Sequence, residues 1–173
     1  MNAGAGTNSL KRMDSIDNMD NTESADPGPA ERVKVVTGTI GDDIHSFGIK
    51  VINHALEGAG YQVVSLGIQT PQEDFVKAAL EADARAILVS SMSGHARLLC
   101  TGLRERCIEA GLGDIVLYVG GTLSTGDAPW PELEREFLAM GYTRVFPATT
   151  MPGQVIEALA ADLAKVAVVD EAG

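Results

Sequence analysis

The chain has 173 residues, enough for one domain with a core of its own. Its 24 acidic against 13 basic side chains leave a formal charge of -11, which excludes a nucleic-acid or anionic-membrane surface built on clustered Lys and Arg. No apolar run approaches the roughly 20 residues of a membrane span, and the polar opening lacks the apolar centre of a secretory signal, so a cytoplasmic protein without membrane or nucleic-acid partner is expected.

Residues 1–31 are rich in Asn, Asp, Ser, Gly and Pro and carry no hydrophobic period. Such a stretch cannot repay the entropy of ordering, and it is expected to be a disordered tail ahead of a folded domain over 32–167 and a short tail over 168–173. The domain opens on "VKVVTG", an apolar strand, followed by "TIGDDIHSFG" and a helix expected from Ser46 to Ala59. "QVVSLG" precedes a helix over Gln72–Ala82 with Phe75, Ala79 and Leu80 on one side, and "RAILVSS" precedes a helix expected over Arg97–Ala110. "DIVLYVGG" leads to a helix over Pro131–Met140, and "TRVFPA" to a last helix from Pro152 to about Val166. Cys100 and Cys107, seven residues apart on one such helix, would stand about 10 Å apart along its axis. That is too far for a disulfide, so both read as small buried apolar groups.

Five short apolar strands without alternation, each joined to the next by a helix, imply a parallel sheet covered on both faces. The natural arrangement is α/β, a doubly wound flavodoxin-like five-stranded sheet. Ligands of such sheets bind beyond the carboxyl ends of the strands, near the point where strand order reverses. At that edge the sequence places "TIGDDIHS", "SMSGHA", "GGTLSTGDAPW" and "PATTMPG", whereas the loops at the other end are short connectors.

Several ligands fail on spacing. Gly38, Gly41 and Gly48 do not make G-x-G-x-x-G, and the Lys-Ser/Thr of a P-loop is missing. A flavin reading keeps only a loose likeness of "TGTIG" to a phosphate-cradling loop. A phospho-receiver has acids where Asp42 and Asp43 stand, but it needs an aspartate at the end of strand three, where this chain has Ser90 and Ser91. None of the three histidines, His45, His54 and His95, has a Cys or second His at a short metal-ligand spacing, which argues against structural zinc. His54 falls within a helix and reads as a surface or packing residue. His95 and Arg97 belong to the rim, as a solvated loop or as contacts. Taken alone, Asp43 could be a helix N-cap and His45 a first-turn residue.

Together, Asp43-x-His45-x-x-Gly48, Ser90-x-Met92 and Gly120-Gly121 resemble the cobalamin-binding signature Asp-x-His-x-x-Gly, Ser-x-Leu, Gly-Gly. The likeness extends through "VSSMSG", "LYVGG" and "PWPELEREFLAMGYTRVF", in order, over roughly residues 33–166, to the small subunit of glutamate mutase (methylaspartate mutase). The resemblance implies an adenosylcobalamin cofactor with His45 as the cobalt axial ligand and Asp43 setting its tautomer and direction. Gly48 would leave room for the nucleotide tail, Ser90 would hydrogen-bond near it, and Gly120 and Gly121 would admit it without a Cβ in the way. Asp42, Ile44 and Ser46 beside the ligand, and Ser91 and Met92 beside Ser90, would add cofactor contacts. Thr122, Leu123, Ser124, Thr125 and Gly126 would line the tail. No residue here is expected to be catalytic by itself; a large, epsilon-type subunit would hold the amino-acid substrate in a heterotetramer, converting L-glutamate and threo-3-methylaspartate by radical isomerisation. Two departures stand out: Met92 replaces the signature's leucine, and Ser93 and His95 stand where that family has tyrosine and glutamine. The other class open to such a fold is a corrinoid carrier for methyl transfer, or a cobalamin-binding sensor without catalysis. Methyl carriers usually place a helical domain ahead of the fold, so the polar tail favours the mutase.

Overall fold

The three central strands of this protein bury neighbouring residues on opposite faces, which requires cover on both sides of the sheet. In the computed structural model, which describes residues 32–171, Val35 and Val36 of the first strand are both fully buried. Val35, Ala86, Leu88, Val116 and Tyr118 face one core, with Leu56, Val155 and Leu159 against them. Val36, Ile87, Val89, Leu117 and Val119 face the other, against Phe75, Leu103 and Phe137. This period-two division is what an apolar run without alternation means in a sheet with two covered faces.

The elements in chain order are β1 (Lys34–Thr39), α1 (Phe47–Gly58), β2 (Gln62–Ser65), α2 (Gln72–Ala82), β3 (Ala86–Ser91), α3 (Ala96–Cys100), α4 (Leu103–Glu109), β4 (Val116–Gly121), α5 (Trp130–Ala139), β5 (Arg144–Pro147) and α6 (Pro152–Glu171). The five strands are all parallel in the order β2-β1-β3-β4-β5, so the direction of winding reverses between β1 and β3. This is the flavodoxin-like arrangement, and it puts the β1 and β3 loops side by side at the switch point. Register brings Thr39 opposite Ser90, Ser90 opposite Gly120 and Ser91 opposite Gly121.

Three local expectations are corrected. The single helix expected over Arg97–Ala110 is two helices, α3 and α4, because Thr101 is extended (ψ 129°) and Gly102 takes φ +90°. Cys100 and Cys107 therefore lie on different helices; both are free and fully buried. On α2, Phe75 and Ala79 are buried as expected, but Leu80 is half exposed and Val76 takes its place in the core. The last helix runs on to Glu171, so the tail set at 168–173 starts inside it. The tail expected over 1–31 lies outside the described residues.

Candidate functional site

After β1 the chain must leave the sheet in one turn. Gly41 makes that turn at φ +69°, with a Cβ there falling 2.4 Å from Leu99. The loop after β2 is tied to it: Gly41 N–H donates to the Thr70 carbonyl at 2.8 Å and Gln69 N–H to the Asp43 carbonyl at 3.1 Å. Asp43 then points inward and is buried, while Asp42 and Ile44 on either side are exposed.

A buried carboxylate needs donors, and Asp43 has four. Oδ1 accepts the His45 backbone N–H at 2.9 Å and meets the His45 ring Nδ1 at 2.6 Å. Oδ2 accepts the backbone N–H of Met92, in a very short contact, and that of Ser93 at 3.1 Å. Burial alone would raise the carboxyl pKa, but the hydrogen bonds from Met92 and His45 outweigh it, and the net shift is downward. Asp43 is therefore ionised and can only accept, so Nδ1 of His45 carries the proton of that hydrogen bond. The His45 side chain is 58% exposed, and Nε2 has no protein partner among the described residues. The result is an imidazole with Nε2 presented to the outside and its ring aimed by a carboxylate, the usual preparation of a histidine metal ligand.

The N-cap alternative fails on geometry. The N-cap of α1 is Ser46, which makes no side-chain cap bond, and Asp43 receives no N–H from the helix itself.

The glycines define where a ligand can approach. A Cβ on Gly48 would meet only the Ser90 Oγ, at 3.8 Å, so the first turn of α1 stands off the end of β3. Gly121 adopts φ +121°, and a Cβ there would fall 2.1 Å from the Ser91 carbonyl oxygen. No other residue fits without moving the β3 end. Gly94, at φ +74°, packs against Thr125, which joins the loops after β3 and β4. Met92 Sδ accepts the Thr122 hydroxyl at 3.6 Å across the same junction, and Ser124 Oγ accepts the Gly126 N–H at 3.1 Å.

The expected residues do not all share one face. Asp43, His45 and Met92 are bonded together, and Gly48, Ser90 and Gly120 meet on the α1 side. Strand alternation puts Ser91 with Ile87 and Val89 on the opposite side, where Leu123 is also buried in the core. The Ser91 hydroxyl has no hydrogen-bond partner. His54 is exposed on α1, His95 is exposed at the start of α3, and Arg97 pairs with Glu136 of α5 at 2.6 Å. The sequence reading missed Ser93, whose backbone alone serves the site. It also missed Asn53 of α1, which accepts the Thr37 hydroxyl at 2.7 Å and donates to Ser65 Oγ at 3.0 Å, pinning α1 to β1 and β2. A threonine in the apolar run of β1 was the available signal. Two surface hollows of about 380 and 410 Å³ lie elsewhere, beside α2 and around Asp162. His45 lines neither.

A doubly wound sheet with an acid-aimed histidine and small residues at its switch point has the architecture of a ligand-binding α/β module. Residues 33–145 match the family model described as the B12 binding domain. The chain is 53% identical over 133 residues to the glutamate mutase sigma subunit of Carboxydothermus hydrogenoformans, covering 77% of this chain and 97% of that one. It is 47% identical, with the same coverage, to the glutamate mutase sigma subunit of Clostridium tetani. Among solved structures, a cobalamin-binding protein from Desulfitobacterium hafniense DCB-2 superposes with a TM-score of 0.63 at 20% identity, over 76% of this chain and 60% of that one, and shows the shared fold. The chain belongs to the B12 binding domain family and, within it, to the glutamate mutase sigma subunits, the cobalamin-binding small subunits of that isomerase. A sigma subunit works with a partner chain. No helix among the described residues is long and apolar enough to cross a membrane.

Proposed function

We propose that His45 is the axial ligand to the cobalt of adenosylcobalamin, and that this chain carries the cofactor for a large, epsilon-type subunit which holds the amino-acid substrate. The assembly is a cytoplasmic heterotetramer that interconverts L-glutamate and threo-3-methylaspartate. The observation that carries the reading is the Asp43–His45 pair: a fully buried carboxylate holds Nδ1 at 2.6 Å and leaves Nε2 free on an exposed ring. A neutral imidazole nitrogen is a suitable donor for cobalt. The bound cofactor supplies radical chemistry by cobalt–carbon homolysis.

The chain's own residues bind and orient. Asp43 keeps the proton on Nδ1, which makes Nε2 the more basic nitrogen and fixes the plane of the ring. Gly48 and Ser90 leave a gap between α1 and β3 for the nucleotide tail, and Gly120 and Gly121 let it approach the backbone. Thr122 to Gly126, with Asp42, Ile44, Ser46 and Met92, form the surrounding rim, while Ser91 and Leu123 support that rim from the other face of the sheet.

The test is electron paramagnetic resonance of the cobalt(II) form reconstituted with protein labelled at the imidazole nitrogens. Coupling to one histidine nitrogen is expected in the wild type and none in His45→Gly, with mutase activity in the presence of the large subunit severely reduced in the variant. Coupling that survives in His45→Gly would refute the ligand assignment. Turnover by this chain without any partner would refute the division of labour.

A further inference from the structure

The sulfur of Met92 occupies a position that no other apolar group of the rim shares. Its backbone N–H donates to the Asp43 carboxylate, its Sδ accepts the Thr122 hydroxyl at 3.6 Å, and a Cβ on Gly121 would lie 3.3 Å from that sulfur. One residue thus touches the acid that aims His45 and the loop after β4, and its sulfur lies where a side chain on Gly121 would reach. The side chain is 37% exposed, so solutes reach it. The signature that this region resembles has a leucine here, which has the bulk of methionine and no oxidisable atom.

We propose that Met92 is a reversible oxidation site for peroxides and that its sulfoxide form disables the cofactor platform; this rests on the cobalamin reading above. The thioether sulfur attacks one peroxide oxygen, supplying two electrons. The O–O bond breaks, one oxygen remains on sulfur as the sulfoxide, and the other leaves as water or, from an organic peroxide, as an alcohol. The new oxygen is a strong acceptor attached to the atom that already takes the Thr122 hydroxyl. It turns an apolar part of the rim polar and draws that hydroxyl to itself, which rearranges the Met92 side chain. The same residue's N–H holds Asp43, which in turn holds His45, so that movement reaches His45 through two successive hydrogen bonds. Met151 is more exposed, at 67%, but it touches none of these groups, and its oxidation is silent for binding.

The experiment treats wild type, Met92→Leu and Met151→Leu with hydrogen peroxide, removes the oxidant with catalase, locates sulfoxides by peptide mass, and then titrates cobalamin by its visible spectrum. Each protein is referred to its own untreated affinity. The expected result is a loss of about tenfold or more in wild type and Met151→Leu, the size seen when the support of a metal ligand is disturbed. The loss follows the fraction of sulfoxide at Met92 and is reversed by methionine sulfoxide reductase, while Met92→Leu binds equally before and after peroxide. Full oxidation of Met92 with unchanged affinity, resistance of Met92 to oxidation, or an equal loss in Met92→Leu overturns the inference. Failure of the untreated wild type to bind cobalamin overturns the underlying reading as well, and it is distinguished because no peroxide is involved.

Discussion

At the scale of single residues, the site depends on Asp43 being able only to accept. Each of its oxygens takes two donors, His45 N–H and ring Nδ1 on one side and the N–H groups of Met92 and Ser93 on the other. An asparagine here must turn its NH₂ toward one of those pairs, donor against donor. Asp43→Asn is therefore expected to lose either the aim of the histidine or the order of the loop after β3, weakening cobalamin binding by about 10- to 100-fold while the fold survives. Titration of cofactor into the variant, with circular dichroism as the control, checks this; wild-type affinity would mean that the carboxylate does not support His45. The sequence made Asp43 and His45 legible only through the likeness of the three loops together to the cobalamin-binding signature, since the two residues alone also suit a helix start. Two of the donors to Asp43, the amides of Met92 and Ser93, were not legible, since they come from a loop 49 and 50 residues away and backbone amides leave no residue-type signature.

At the scale of elements, the broken helix after β3 shows how a distant side chain sets local structure. Arg97–Ala110 has the apolar spacing of one helix, yet Gln72 at the start of α2 donates its Nε2 to the carbonyls of Leu99 at 2.6 Å and Thr101 at 2.9 Å. Those carbonyls are released from helical bonding and the chain turns at Gly102. Thr101 adds a local stop by donating its hydroxyl to the Arg97 carbonyl at 2.7 Å. Gln72→Leu leaves both acceptors without that donor, at an expected cost of about 1–2 kcal/mol. Hydrogen exchange should speed up in α3 and at the start of α4 while the central strands stay protected. Unchanged exchange in α3 would show that Gly102 and Thr101 hold the break without help. The sequence could not have assigned Gln72 this role, because its partners are 27 and 29 residues away.

For the whole molecule, α6 is fastened to the sheet by one buried acid far from His45 in the chain. Asp162 accepts from Tyr118 OH at 2.7 Å, from Arg144 at 2.5 and 3.0 Å, and from Lys165 at 3.0 Å. The hydrogen bonds from Arg144 dominate and hold its carboxyl well below the ordinary 3.8, against the opposing effect of burial. Burial, and after it the hydrogen bond to the same acid, raises the Tyr118 phenol. A carboxyl depressed in the folded state stabilises fully above its unfolded pKa and loses that contribution as pH falls from about 4 toward its folded value. Asp162→Asn is expected to cost about 2 kcal/mol near neutral pH and to flatten the acid limb of the stability curve. Urea unfolding at pH 7 and pH 3 measures both, and an unchanged difference between the two would remove Asp162 as the cause. The sequence by itself determined the parallel sheet covered on both faces and the rim that carries the loops, and its likeness to the cobalamin-binding signature picked out Asp43 and His45. The first two follow from periods and spacings within one element or one turn. Only the tertiary structure decided which donors bury Asp43, where the helix after β3 breaks, that Leu123 turns into the core, and what Asp162 holds. Satisfaction of a buried polar atom and clearance around a missing Cβ are relations between segments distant in the chain, and they exist only once the chain has folded.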